Sequence, residues 1–310
     1  MDNILDLLEE AEDTFGKIPA NVRMEVARLD KTMPISGQRL MKKAGSGADP
    51  FEFRDFDPSK DSESRKNAKQ KMRTGKDMVL DREMESPHHF LSWVDASASM
   101  NFKSDRAKFT KREYALIVML AWVMDMGMQE EAVGVISNGR LFRGGMRTAQ
   151  RVSDLLVDVA LMGGDELPEI HRAFKANDKV VLAGDFFTKT PEELEEFLGD
   201  ISARRLQATL VMTLDPEELD FSYQGNREFV GLEGEVNLSG EASRVFDSAQ
   251  SMRRQYLEAL KAHITRVQAL CEEFGFRFVL APTHKAPEQA VLDIKDGQEN
   301  PLQHVPEAAR

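Results

Sequence analysis

The sequence predicts an α/β fold, an open and mostly parallel sheet with one antiparallel edge strand and helices on both faces. Three observations lead there. From His88 onward, short apolar runs of strand length alternate with amphipathic helical stretches, the pattern of strands joined by helical crossovers. Asn138-Gly139 separates two such runs, and that dipeptide is a strong hairpin signal. The chain has 310 residues, 41% hydrophobic and 30% charged, which is globular composition at a length that holds one or two domains.

Taken in order, Ile4, Leu7, Leu8, Ala11 and Phe15 fall on one helical face that needs a surface to pack against, and Pro19 interrupts it. Residues 45–85 are rich in charge and poor in aliphatics, with Phe51, Phe53 and Phe56 alternating as in an extended element. Lys60, Arg65, Lys66, Lys69, Lys71, Arg73 and Lys76 form a basic block there, either a solvated helix face or a dock for an acidic partner. His89 to Val94 reads as a strand. Thr110-Lys111-Arg112-Glu113 is a capping box opening a helix whose interior, Ala115 to Met124, is apolar all round and therefore buried. Ala132 to Ile136 and Arg140 to Phe142 are the hairpin strands. Helices follow over Ala149 to Met162 and Leu167 to Lys175, then a strand from Lys179 to Ala183. Thr190-Pro191-Glu192-Glu193 starts another helix with a cap and a proline at its first position. A strand from Ala208 to Leu214, a long helix from Ala242 to Phe274 and a last strand from Arg277 to Ala281 complete the pattern. The expected organisation is an N-terminal extension over 1–85 wrapping a main domain over 86–283, with a loose tail over 284–310.

Charge and cysteine usage narrow the function. With 53 acidic against 41 basic side chains the formal charge is -12, which repels phosphate backbones and argues against bulk nucleic-acid binding. Cys271 is the single cysteine, so neither an internal disulfide nor a thiolate zinc cage can form, and it reads as a small buried hydrophobe. The start lacks the basic-then-apolar layout of a signal peptide, and Ala115 to Met124 is well short of the ~18 residues of a membrane span. The expectation is a cytoplasmic protein without membrane insertion.

Open parallel sheets bind ligands at the carboxyl ends of their strands. The first strand runs into Asp95-Ala96-Ser97-Ala98-Ser99, and the strand from Lys179 runs into Gly184-Asp185. One carboxylate and two hydroxyls at alternate positions are hard oxygen ligands, and Mg2+ or Mn2+ takes such oxygens while keeping waters. Asp185 is the second carboxylate that set needs. The competing assignment is that Asp95 and Ser97 cap local backbone N–H groups.

Asp95-Ala96-Ser97-Ala98-Ser99-Met100 after an apolar strand, with Asp185 ending a later one, resembles the metal-ion-dependent adhesion site of von Willebrand factor A domains. More narrowly, the chain resembles the bacterial domain-of-unknown-function family fifty-eight, whose members carry that domain. Supporting strings are Phe51-Glu52-Phe53-Arg54-Asp55-Phe56-Asp57-Pro58, Arg73-Thr74-Gly75, and Leu214-Asp215-Pro216-Glu217 followed by Phe221 and Gly225. The resemblance implies a von Willebrand factor A-like, Rossmann-like sheet. It implies that Ser97 and Ser99 ligate a divalent ion while Asp95 and Asp185 orient its waters, and that a MoxR-type AAA ATPase is the partner in assembling or activating a client complex.

The chain departs from that family in places. Ser59-Lys60-Asp61 and Arg65-Lys66-Asn67 stand where Gly-Asp-Asp and Ile-Asp-Trp are usual. Gly163-Gly164 is followed by Asp165 where the adhesion-site pattern has Thr, which makes Asp165 either a third carboxylate of the site or a helix cap.

Enzyme readings have less support. A haloacid-dehalogenase-like phosphatase would need a carboxylate two residues after Asp95, and Ser97 is there. No phosphate loop, no Gly-x-Ser-x-Gly elbow and no His-Glu-x-x-His spacing occurs, so ATP-driven work has to come from a partner. His171 and His263 fall in expected helices and read as surface or packing residues. The expected function is a non-enzymatic, metal-assisted protein-binding adaptor; the alternative is a metal-dependent phosphohydrolase using Asp95 and Asp185.

Overall fold

The computed structural model describes residues 2–18, 44–56, 68–83, 89–129, 131–142, 151–152, 154–157, 164, 166–222, 227–230, 243–246 and 249–298. The chain divides into two compact units, residues 28–87 and residues 1–27 with 88–310. The division falls after residue 87, beside the expected boundary, while residues 1–27, expected in the extension, group with the larger unit.

In the smaller unit, β1 (Ala44–Asp55) and β2 (Met78–Glu83) pair antiparallel, with Phe53 opposite Leu80 and register shifts on either side of Pro50. Proline has no N–H to give to a ladder, and that disrupts the pairing locally. Between the strands, α2 (Ala68–Thr74) ends at Gly75, whose φ of 74° lets its N–H return to Lys71 O at 2.8 Å. From the basic block, Lys71 pairs with Asp77 at 2.7 Å in an exposed position. Lys60, Arg65 and Lys66 lie outside the described residues.

The larger unit contains α1 (Asp2–Lys17), β3 (His89–Val94), a 3-10 turn (Ala98–Asn101), α3 (Lys111–Met128), β4 (Ala132–Val135) and β5 (Leu141–Phe142). It continues with β6 (Lys179–Gly184), α4 (Pro191–Ala203), β7 (Gln207–Leu214), α5 (Pro216–Asp220), β8 (Arg227–Val230) and β9 (Ser243–Phe246). It closes with α6 (Ala249–Glu273), β10 (Arg277–Pro282) and α7 (Pro287–Asp296). The main sheet runs β10-β7-β6-β3-β4-β5, parallel except for β5, which pairs antiparallel to β4. In chain order that is 3-2-1-4-5-6, the order of a Rossmann-like doubly wound sheet. The connection direction reverses between β3 and β6, the topological position at which such sheets bind ligands.

Alternation along the strands makes two cores. Phe90, Val94, Val181 and Ala183 pack on α3, while Leu91, Trp93, Val180 and Leu182 face the layer of α4 and α6. Helix α3 is buried on nearly every side, as its composition requires, because α1 and α7 cover the face turned from the sheet with Leu7, Ala11, Ala290, Val291 and Ile294. Thr110 and Thr190 form the expected capping boxes of α3 and α4.

Three expectations are corrected. Residues 167–175 are irregular rather than helical: Ile170 and Phe174 are buried at helical spacing, but Pro168 lies beside them and the His171 N–H bonds to Ile136 O at 3.2 Å. The long helix begins at Ala249, since Ser243–Phe246 pairs with Arg227–Val230. Residues 287–296, expected in a loose tail, form α7, which is fixed to α3 by the buried ion pair of Lys295 and Asp125. Of the helix expected over 149–162, only residues 151–152 and 154–157 are described, and they are helical.

Gly139 turns the hairpin with φ of 70°, and a Cβ there would lie 2.2 Å from the His171 ring. Gly139→Ala should lower unfolding free energy by about 1–3 kcal/mol in denaturant titration. Adding His171→Ala should recover only the steric part, leaving the backbone penalty.

Candidate metal site at the sheet switch point

β3 and β6 are neighbours, and the Asp95 N–H continues their ladder by bonding Ala183 O at 2.8 Å. The chain then turns into the Asp-x-Ser-x-Ser loop, where Asp95 Oδ1 accepts the Ser97 N–H at 2.9 Å. The Ser97 and Ser99 hydroxyls lie 3.1 Å apart, and Ser99 Oγ donates to Asp185 Oδ1 at 3.0 Å. Thus the structure brings Asp95, Ser97, Ser99 and Asp185 together, each no more than 5% exposed. Asp165 lies outside the described residues; its neighbour Gly164 makes an isolated antiparallel bridge with Ala96.

Both flanks of Asp185 are conformationally demanding. A Cβ on Gly184 would stand 2.6 Å from Asp95 Cβ, so only glycine lets the two strand ends approach this closely. Phe186 has φ of 57°, a left-handed conformation that is costly for a bulky side chain. It is held there by burial and stacking on Trp93, with ring centroids 6.5 Å apart. The sharp turn lets the Phe187 N–H reach Asp185 Oδ1 at 3.0 Å.

Several residues around these four were not singled out as site residues by the sequence. Lys111, 1% exposed, donates to Asp185 Oδ2 at 2.7 Å and to Glu218 Oε1 at 2.6 Å. Burial alone would push its ammonium down; the adjacent charges of Asp185 and Glu218 reverse that and hold its pKa above the ordinary lysine value. Lys111 opens α3, where the helix dipole disfavours a cation, and that misplacement was the available clue. Arg112 Nη2 donates to Ala96 O at 2.6 Å and Ser97 O at 3.1 Å, bracing the loop backbone. His263 Nε2 lies 2.9 Å from Asp185 O, and a carbonyl only accepts, so Nε2 carries the proton; burial lowers the pKa of this ring. Asp215, the N-cap of α5, also accepts the Ser104 N–H at 2.9 Å, while Glu218 closes the capping box by accepting the Asp215 N–H at 2.8 Å.

Of the side-chain oxygens of Asp95, Ser97, Ser99 and Asp185, one is left over. Asp95 Oδ2 is buried without a hydrogen-bond partner among the described residues. Desolvation by burial, and next the negative charge of Asp185, raise the Asp95 pKa, against the pull of the Ser97 N–H. Oxygen donors that converge beside an uncompensated carboxylate oxygen suit a hard divalent cation. Among the described residues no group of three or more His, Cys, Asp and Glu gathers to hold a metal, and a cation here would have two carboxylates and two hydroxyls as its donors. Cys271 is remote in chemistry as well, its thiol pushed up to about 12 by burial.

The family model described as protein of unknown function DUF58 matches residues 68–266, which include all four of these donors. The chain belongs to the DUF58 family. Similarity to solved structures includes the crystal structure of conserved hypothetical protein BatB from Bacteroides thetaiotaomicron. It is 13% identical, covers 67% of this chain and 99% of that chain, and has a TM-score of 0.37. No curated protein matches this DUF58 chain.

Two outcomes follow from the geometry. Because the raised Asp95 pKa means the folded state disfavours the carboxylate, metal-free protein should lose stability as pH rises above the ordinary aspartate range near 3.9 and through the raised value. Asp95→Asn should flatten that slope and raise the metal-free melting temperature at pH 7. Gly184→Ala should instead destabilise by about 1–3 kcal/mol, since Asp95 has to move off the β6 end.

Proposed function

We propose that this chain is a metal-assisted protein-binding adaptor, not an enzyme, built on a von Willebrand factor A-like domain. The observation that carries the reading is the orphaned, buried Asp95 Oδ2 beside Ser97, Ser99 and Asp185 at the carboxyl ends of two neighbouring parallel strands. Ser97 and Ser99 would ligate Mg2+ or Mn2+ directly, and Asp95 and Asp185 would orient its waters. When bound, the ion offers an open coordination position to a carboxylate from a partner protein. Ser99 and the Phe187 N–H keep Asp185 turned toward the hydroxyls, and Arg112 keeps the loop from opening.

Support for an adaptor over a hydrolase comes from the same set. The position two residues after Asp95 holds Ser97, so no carboxylic acid stands ready there to protonate a leaving group. Resemblance to the family points to a MoxR-type AAA ATPase as partner, with an unidentified client. No helix among the described residues is long and apolar enough to cross a membrane.

Calorimetry with Mg2+ and Mn2+ should record one site in the wild-type chain and none in Asp95→Ala. The ion should raise wild-type stability by linkage, about 2.7 kcal/mol at a hundredfold excess over Kd. Equal heats from both proteins would overturn the metal assignment. Wild-type bait should retain an AAA ATPase from native cell extract in the presence of Mg2+ and release it to chelator. Turnover of generic phosphoesters with Mg2+ or Mn2+ would favour the phosphohydrolase instead.

A further inference from the structure

Divalent affinity at an oxygen site is set largely by the charge its ligands carry and by their rigidity. The two carboxylates here do not act on an incoming ion alone. The ammonium of Lys111 sits on Asp185 Oδ2 at 2.7 Å, on the opposite oxygen from the one that Ser99 and the Phe187 N–H hold. With both oxygens engaged, Asp185 is fixed before any ion arrives.

The cation is not free to leave. Its second contact, Glu218 at 2.6 Å, belongs to the capping box of α5, and its own backbone begins α3 just after the Thr110 cap. Its ring neighbour Phe187, 4.8 Å from the ammonium, closes another side. At 1% exposure the charge is screened by neither water nor salt.

Resting on the metal reading above, we infer that Lys111 is a resident counter-cation of the site: it holds Asp185 oriented and lowers the affinity for a divalent ion. The charge presented by Asp95 and Asp185 is partly neutralised in advance, and a permanent positive charge opposes every ion that enters. The ion is therefore held exchangeably, and a partner carboxylate that adds a ligand strengthens its hold. Lys111 is a positioning residue in this scheme and does not itself ligate.

The test is Mn2+ titration, read by calorimetry and by the electron paramagnetic resonance signal of free Mn2+, on the wild-type chain, Lys111→Met, Lys111→Met/Glu218→Gln and Asp95→Ala. The double variant removes the cation together with its second anion, leaves net charge unchanged, and guards against misfolding of the single one. Lys111→Met should bind Mn2+ about tenfold tighter or more, the scale of one unscreened charge at close range, and the charge-neutral double variant should bind tighter than the wild type by a smaller factor. Equal or weaker binding by folded variants, with Asp95-dependent binding retained in the wild type, overturns the inference and leaves the metal reading standing. Equal Mn2+ binding by the wild type and Asp95→Ala overturns the metal reading and this inference with it. Failure of both variants to fold makes Lys111 a purely structural clamp and overturns the inference alone.

Discussion

Two carboxylates buried side by side, Asp95 and Asp185, are the constraint to which the rest of the larger unit answers. Burying an ionised carboxylate costs several kcal/mol unless hydrogen bonds or an opposite charge compensate it. Asp185 is compensated in full: Ser99, the Phe187 N–H and Lys111 take up both its oxygens, and His263 holds its carbonyl. Asp95 is compensated by half, through the Ser97 N–H on Oδ1. That asymmetry sets this strand end apart from an ordinary capped loop, in which local N–H groups take up the carboxylate oxygens.

The strain stored nearby fits the same account. Phe186 occupies a left-handed conformation and Gly184 brings β6 within a distance of Asp95 that no Cβ would permit. Both features cost stability, and both serve to bring Asp185 against the hydroxyls of the neighbouring loop. Paired parallel strands alone would not do so. The ladder between β3 and β6 sets the spacing of the strand ends, and the turns that follow decide which way each carboxylate points.

Much of this was legible in the sequence where local patterns decide structure. The strand His89–Val94 and the helices starting at Thr110 and Thr190 have sharp edges because caps and apolar runs end at the same residues. Asp95, Ser97, Ser99 and Asp185 were legible from the rule that ligands gather at strand ends. Residues whose role depends on distant partners were not. Lys111 and Glu218 each belong to a capping sequence that already accounts for them, so nothing local marks their pairing across 107 positions. His263 lies in the middle of α6 and meets Asp185 only because that helix packs over the sheet beside β6. The stripe of Ala290, Val291 and Ile294 is short and ends in Lys295, whose charge reads as exposed until its burial against Asp125 is seen.

Three of the links that the sequence hid run between the same two segments. From the loop and helix start over 102–111, Ser104 donates to Asp215 at 2.9 Å, Arg106 pairs with Asp220 at 2.6 Å and Lys111 reaches Glu218. The exposed Arg106 pair adds little energy, whereas the buried Lys111 contact is costly to break on one side only. Helix α5 and the segment after the Asp-x-Ser-x-Ser loop are therefore coupled through one ammonium that also touches Asp185. The arrangement joins the carboxyl ends of β3 and β6 to α5 through side chains whose positions are fixed by capping boxes at both ends.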